Sequence, residues 1–279
     1  MVFNLSCVAA MDLAVQKRQI SVGVFILAKN EAANIRRSVK AFESVGWPVV
    51  VLDSGSTDRT KDIVSEFPFA RFQEYIYRDH CTAYNETTTI LGSGFDFVIV
   101  LDADMVVSET LQNELRECFA EAGGEWKALD AEIEMVVDGV PLKRASLYPP
   151  KPFVFKVGEP LFMNTGHAEK LRPGIPIRRL CAKLRHDDRK NYDFYLQSQF
   201  RYSGNLLRRY RAGEVSGRDK LRVRWPFLIF AVPIFSYFFK GGFMDGRAGM
   251  VYALDRLIAE AIMYRQALSS RIVDSSADE

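Results

Sequence analysis

The chain has 279 residues, with 37 Lys and Arg against 35 Asp and Glu and a formal charge of +2. Charges this balanced do not imply wholesale nucleic-acid binding, although local asymmetry can hide in the total, and 48% hydrophobic with 26% charged residues excludes a disordered chain. At roughly 100 to 200 residues per domain, the length allows one large α/β domain or two small ones.

Residues 1–20 hold a short apolar stretch soon met by Asp12, Lys17 and Arg18. They lack a basic start before a long apolar run and a small-residue cleavage site, so no signal peptide is expected and 1–20 reads as an N-terminal tail. From Ser21, Val22-Gly23-Val24-Phe25-Ile26-Leu27 is a continuous apolar run ending in Lys29-Asn30-Glu31, the pattern of a buried parallel strand. Asn34 to Phe42 carries Ile35, Val39 and Phe42 at helical spacing, and Val49-Val50-Val51-Leu52 follows as a second buried strand, which makes a βαβ unit. The polar turn Asp53-Ser54-Gly55-Ser56-Thr57-Asp58 leads into a helix with Ile63, Val64 and Phe67 on one side, stopped by Pro68. Asp58 reads first as that helix's N-cap. The third clear strand is Phe95 to Leu101, which runs into Asp102-Ala103-Asp104; a helix over Leu111 to Phe119 comes next. Carboxylates at the carboxyl ends of parallel strands lie where open α/β sheets bind ligands.

Beyond that helix the pattern is irregular, with Pro141, Pro149, Pro150, Pro152, Pro160, Pro173 and Pro176 marking loops and extended pieces. Between Arg208 and Arg224 seven Arg or Lys face only Glu214 and Asp219, and the apolar run Trp225 to Phe239 follows directly. Fifteen residues with two prolines fall short of the roughly 20 a spanning helix needs. The run is therefore expected either to pack on the core or to lie in a membrane interface beside its basic collar. Met250 to Leu268 predicts a terminal helix followed by a polar, frayed end. Cys7, Cys81, Cys118 and Cys181 form no CxxC pair and suggest neither a zinc ribbon nor a disulfide framework, which fits a reducing compartment.

Asp102-x-Asp104 after a buried strand offers two carboxylates to a hard divalent cation that also binds phosphate oxygens, Mg²⁺ or Mn²⁺; alone, the pair reads equally well as a helix cap. In order, Asn30-Glu31, Asp53-Ser54-Gly55-Ser56-Thr57-Asp58 and Asp102-Ala103-Asp104 resemble the motifs of the inverting family 2 glycosyltransferases of the GT-A fold, firmly over residues 21 to 107. Val50-Val51-Leu52-Asp53-Ser54-Gly55-Ser56-Thr57-Asp58 looks most like the bacterial lipopolysaccharide-core or exopolysaccharide enzymes. The resemblance implies a Rossmann-like, mostly parallel sheet flanked by helices over 21–207. Its nucleotide-binding half would be 21–107, its acceptor half 108–207, and 208–279 would form a basic and apolar extension able to associate with a membrane.

It also implies residue roles. Glu31 and Asp53 would contact the base and ribose, Asp53 accepting the uracil N–H, with Lys29 and Ser54 beside them. Asp102 and Ala103 would line the ribose and diphosphate, and Asp104 would hold the metal, with Asp102 as a second ligand. Asn85 falls where the family often has Ala-Arg-Asn; Tyr84 replaces the Arg, and Arg78 could substitute. An inverting transfer needs a general base, which the family usually places in a Glu-Asp pair absent here. The dense acid and histidine clusters Gly166-His167-Ala168-Glu169 and His186-Asp187-Asp188-Arg189 loosely match the Val-His-Glu and Leu-x-His of the related core transferases. His186 is then expected in the metal shell or on the diphosphate, and His167, Glu169 and Asp187 at the catalytic step, with Asp187 or Glu169 as the base. His80 is read as a loop residue without a role, and none is given to Arg201-Tyr202-Ser203. The reading is a metal-dependent transfer of sugar from a UDP-linked donor to a glycan or lipid-linked acceptor in bacterial envelope polysaccharide synthesis, in the cytoplasm at the inner face of the membrane. A nucleotidyltransferase is disfavoured by the absence of a Gly-rich basic loop after the first strand. A catalytically silent scaffold stays open because the Glu-Asp pair is missing.

Overall fold

The computed structural model describes residues 20–121, 125–164, 169–215 and 217–276. The first half contains β1 (Val22–Ala28), α1 (Ile35–Lys40), β2 (Val49–Asp53), α2 (Thr60–Ser65), β3 (Ala70–Glu74), α3 (His80–Thr88), β4 (Phe97–Asp102), β5 (Met105–Val106) and α4 (Glu109–Ala120). β1, β2 and β4 are buried almost throughout, because apolar clusters cover both sheet faces. One face packs on α1, α2 and α4 through Ile35, Val39, Ile63, Leu111 and Leu115; the other packs on α3 through Ala83 and Tyr84.

The strand read as third is therefore fourth. β3 lies between, half-exposed and alternating as Ala-Arg-Phe-Gln-Glu, so it shows no apolar run. α3 is short and Thr-rich; Asp79 caps it by accepting the Thr82 amide at 2.9 Å.

The irregular second half is a set of short strands: β6 (Ala128–Ala131), β7 (Ile133–Val137), β8 (Val140–Pro141), β9 (Lys151–Lys156), β10 (Phe162–Asn164), β11 (Glu169–Leu171), β12 (Ile177–Arg179) and β13 (Leu184–His186). They complete a seven-stranded sheet of order β12-β6-β9-β4-β1-β2-β3, parallel except where β9 runs antiparallel to β4 and β6. A second sheet of order β5-β13-β7-β8 rises from its carboxyl edge, and β10 pairs with β11. The mixed α/β architecture expected from the sequence is the one observed.

The C-terminal part is helical: α5 (Tyr192–Arg211), α6 (Gly217–Arg224), α7 (Leu228–Ile234), a π-helical turn Phe235–Phe239, a 3₁₀ turn Gly242–Asp245 and α8 (Gly246–Ser276). α5 runs across residue 207 and packs on α8 and α6 through Leu206, Leu207, Val223, Met263 and Ala267. Among the described residues no single helix is long and apolar enough to cross a membrane, although Leu228–Phe239 and Gly242–Ser269, bent by 67°, are so as a pair. Cys81, Cys118 and Cys181 are free thiols.

Candidate active site

Three strand ends and one strand pairing build the site. After β1, Asn30 adopts a left-handed φ of 55°, which Asn tolerates better than most residues. Its side-chain oxygen accepts the Thr57 amide at 2.8 Å, and its own amide donates to Ser56 Oγ at 2.7 Å. Asp58 ties the same two loops: its carboxylate accepts the amides of Ala32 (2.9 Å) and Thr60 (3.0 Å) and the Thr60 hydroxyl. These bonds outweigh a burial penalty and hold its pKa below the ordinary 3.8. The N-cap of α2 is Arg59, one residue later than the sequence suggested, and Asp58 is a loop brace.

Asp53 ends β2 almost fully buried, and its Oδ2 accepts the amides of Gly55 (3.0 Å) and Ser56 (2.8 Å) while Oδ1 accepts the Ser56 hydroxyl. A uracil N–H, the expected contact, would have to share these oxygens with the turn. Ser54 bonds the Ala28 carbonyl through amide and hydroxyl, and Lys29 is exposed at the end of β1.

The third strand end carries the acids. β13 pairs antiparallel with β5, His186 opposite Met105, and the Asp187 amide donates to the Asp104 carbonyl at 2.9 Å. This pairing carries His186 across 82 residues of sequence to Asp104, Nε2 lying 3.5 Å from Oδ2. Two atoms here are buried without a hydrogen-bond partner, Asp104 Oδ1 and His186 Nδ1. Unpaired buried polar atoms are costly, and this open oxygen and nitrogen are donor atoms of the kind a divalent cation accepts. Burial pushes the Asp104 carboxyl up; Asp102 and Asp188 add to this, against His186 and Lys190.

Asp102 differs. Burial works to raise its pKa, but the Lys151 ammonium at 2.6 Å, with His80 and His186, holds it at about 2. Lys151 already sits on Asp102 Oδ2, and among the described residues no three His, Cys, Asp or Glu side chains form a ready metal site. Of the three expected ligands, Asp104 and His186 lie side by side, while Asp102 is paired with Lys151. Ala103 is buried, its amide donating to the Leu27 carbonyl at 3.2 Å.

A polar bridge closes the site between α1 and the loop after β13. Asn34, fully buried, donates to Glu31 Oε2 and Asp188 Oδ1, both at 2.8 Å, and accepts from the Arg189 amide at 2.8 Å. Lys190 meets Glu31 Oε1 at 2.6 Å. Burial raises the Glu31 carboxyl against the pull of Lys190; the Lys190 ammonium rises too, because Glu31, Asp188 and Asp104 overcome its own burial. The two groups form a partly buried ion pair beside Asp104 and Asp188.

Other expectations are redirected. Asp187 is nearly buried and gripped by Arg189, at 3.0 to 3.3 Å, and by Arg37 Nε at 3.4 Å, so its oxygens are taken up by two guanidiniums. Its neighbour Asp188 is 35% exposed and takes its bonds on Oδ1. Asn85 clamps β10: its Nδ2 donates to the Phe162 carbonyl (3.1 Å) and its Oδ1 accepts the Phe162 amide (2.9 Å), which occupies the amide expected to meet the donor. Arg78 pairs with Glu86 at 3.5 Å. His167 and the side chain of Glu169 lie outside the described residues; the Glu169 backbone pairs with Asn164.

Sequence reasoning missed Lys151, Lys190, Asn34, Tyr148 and the proximity of His80. Lys190 stood four residues after His186, and Asn34 read as an ordinary helix start; Lys151, between two prolines, gave no signal.

Residues 23–124 match the sequence profile of the family described as Glycosyl transferase family 2. A protein of Rickettsia bellii described as an uncharacterized glycosyltransferase is 32% identical over 99 residues, 36% of this chain and 33% of that protein. A Rickettsia felis counterpart is 29% identical over 99 residues, 36% and 34% of the respective lengths. The matched stretch thus spans about a third of the curated relatives. Among solved structures, S. aureus TarS 1–349 in complex with UDP is similar at 14% identity and a TM-score of 0.44, covering 88% of this chain and 92% of that one. Glucosyl-3-phosphoglycerate synthase from Mycobacterium tuberculosis in complex with Mn²⁺, UDP and phosphoglyceric acid gives 17% and 0.46, covering 70% and 80%. On its sequence match, the stretch from residue 23 to residue 124 is a Glycosyl transferase family 2 segment.

Proposed function

We propose that the protein transfers a sugar, with inversion, from a nucleotide-diphosphate donor, UDP-linked, to a hydroxyl of a glycan acceptor, in bacterial envelope polysaccharide synthesis at the cytoplasmic side. The observation that carries this is the Asp104–His186 pair, buried at the carboxyl edge of a parallel sheet, with one oxygen and one nitrogen left unpartnered. These two donors suit Mg²⁺ or Mn²⁺ completed by donor oxygens. When bound, such an ion neutralises the charge on a departing diphosphate. The chain does the rest. Asp104 and His186 would hold the ion, and Asp102 is kept ionised and oriented by Lys151 beside the same strand end. The loops of Glu31 and Ser54 bound the nucleoside end, fixed by the Asn30 and Asp58 braces. Asp188, more exposed than Asp187 and carried on the same loop as His186, accepts the proton of the attacking hydroxyl. Asp187, locked by Arg37 and Arg189, positions that loop.

Calorimetric titration of UDP, GDP and their sugar derivatives, with and without Mn²⁺, tests the reading. Metal-dependent UDP binding that Asp104→Asn abolishes is expected. No binding of any nucleotide would sink it and leave a silent scaffold of the same fold.

A further inference from the structure

From the end of α6 to the start of α8 the surface is unusually apolar. Phe227, Phe230, Phe235, Phe238, Phe239 and Phe243 are each between 50% and 78% exposed. Contiguous exposed apolar surface on this scale marks an interaction site. The backbone presenting it is tightly built. A Cβ on Gly242 would come within 2.9 Å of the Ser236 carbonyl oxygen, and one on Gly249 within 1.9 Å of the Gly242 oxygen. Buried Ser236 donates its hydroxyl to the Ala145 carbonyl at 2.8 Å. The Asp245 carboxylate accepts the amides of Lys143, Arg144 and Ala145 at 2.8 to 3.1 Å. The phenylalanines therefore stand on a fixed frame.

Cations flank that frame in the chain. Lys220 and Arg224 precede it, and Lys240 and Arg247 fall within or just after it, all exposed. α6 is fastened to α8 by Arg222 and Glu260 at 2.6 Å, with Glu260 buried. α8 in turn packs on α5 through Met263 and Ala267. α8 is thus held by protein along this stretch, with the buried Glu260 paired to the half-exposed Arg222.

We propose that this aromatic face docks on the surface of an anionic lipid bilayer, lying in the interface without crossing it, and that the acceptor hydroxyl is carried by a lipid. Aromatics seated at headgroup level beside a basic collar are the chemistry such a surface selects. A second copy of the chain fits less well, because a two-fold contact would set the same collar of cations against itself. The frame also reaches the candidate active site. The strap from Lys143 to Tyr148 is held by Asp245, Ser236 and the Tyr252 hydroxyl, which accepts the Leu147 amide at 3.1 Å. The strap ends with the Tyr148 ring 5.3 Å from that of His186. A bilayer under the phenylalanines and the Asp104–His186 pair are thus joined by one rigid piece. The acceptor clause rests on the glycosyl-transfer reading; the docking does not.

The test floats the full chain with vesicles of phosphatidylcholine alone and of phosphatidylcholine mixed with phosphatidylglycerol. Phe238→Ser/Phe239→Ser/Phe243→Ser and Lys220→Gln/Arg224→Gln variants run in parallel. Wild type is expected to float with the mixed vesicles, and the phenylalanine variant to lose about tenfold or more in partition. The charge variant should fall toward the phosphatidylcholine level, as wild type does in high salt. Thermal melting and UDP binding of the phenylalanine variant should match wild type, showing that it is folded. Wild type ignoring both vesicles, variants floating as well as wild type, or a lipid-free dimer abolished by the phenylalanine changes in place of vesicle binding would each overturn the docking. Vesicle binding without UDP binding would sink only the glycosyl-transfer reading and, with it, the acceptor clause.

Discussion

One oxygen, Asp104 Oδ1, is buried without a hydrogen-bond partner beside a histidine nitrogen in the same condition. Replacing the acid while keeping its shape removes the charge a divalent ion needs. Asp104→Asn should lower turnover by about two orders of magnitude or more, with little change in melting temperature. The adjacent acids after His186 separate cleanly by environment. Asp188→Asn is expected to stop turnover while leaving UDP binding intact. Asp187→Asn breaks a buried link to two guanidiniums and should cost about 3 kcal/mol in stability by urea titration. If Asp187→Asn kills turnover in a fully stable protein, the assignment of base and anchor is reversed. Asp58 adds a pH dependence. Its folded pKa lies below its ordinary 3.8, so its stabilising contribution is whole above about pH 4 and fades as pH falls through the folded value. The melting temperatures of wild type and Asp58→Asn should therefore differ near neutrality and converge in acid.

Among the elements, the pairing of β5 with β13 matters most, since without it Asp104 and His186 lie far apart in the chain. The three buried parallel strands could be read from sequence because both of their faces are covered, leaving unbroken apolar runs closed by polar loops. β3 could not, because an edge strand alternates. Nor could β5 and β13, two and three residues long, whose pairing depends on partners distant in sequence. Asp102 and Asp104 were legible because they follow such a run. Lys151 was not, since its meaning comes entirely from β9 lying antiparallel beside β4. Asn85 was misread for the complementary reason: position in a motif cannot reveal that a strand from residue 162 will occupy its amide. The turn into α8 yields a further expectation. Gly249→Ala would ordinarily help a helix, yet its methyl would meet the Gly242 carbonyl oxygen, so the change should destabilise by about 1–3 kcal/mol in thermal or urea melts.

At the scale of the molecule, the seven-stranded sheet supplies the strand-end side of the candidate site and the C-terminal helices frame the strap under Tyr148. Asp245→Ala leaves three strap amides without their acceptor. It should raise the KM for acceptor severalfold while leaving UDP affinity as in wild type, a split that steady-state kinetics and calorimetry would read. The clamp has a consequence for how the protein is made. Asp245 and Tyr252 lie 100 to 105 residues beyond the strap amides they hold. While the chain is still emerging from the ribosome, β1, β2 and β4 can already pair, but the strap has nothing to close on until Asp245 and Tyr252 have been synthesised. On the glycosyl-transfer reading, a nascent chain would thus carry its nucleotide cradle before it can present an acceptor, and would stay inactive until α8 has been made.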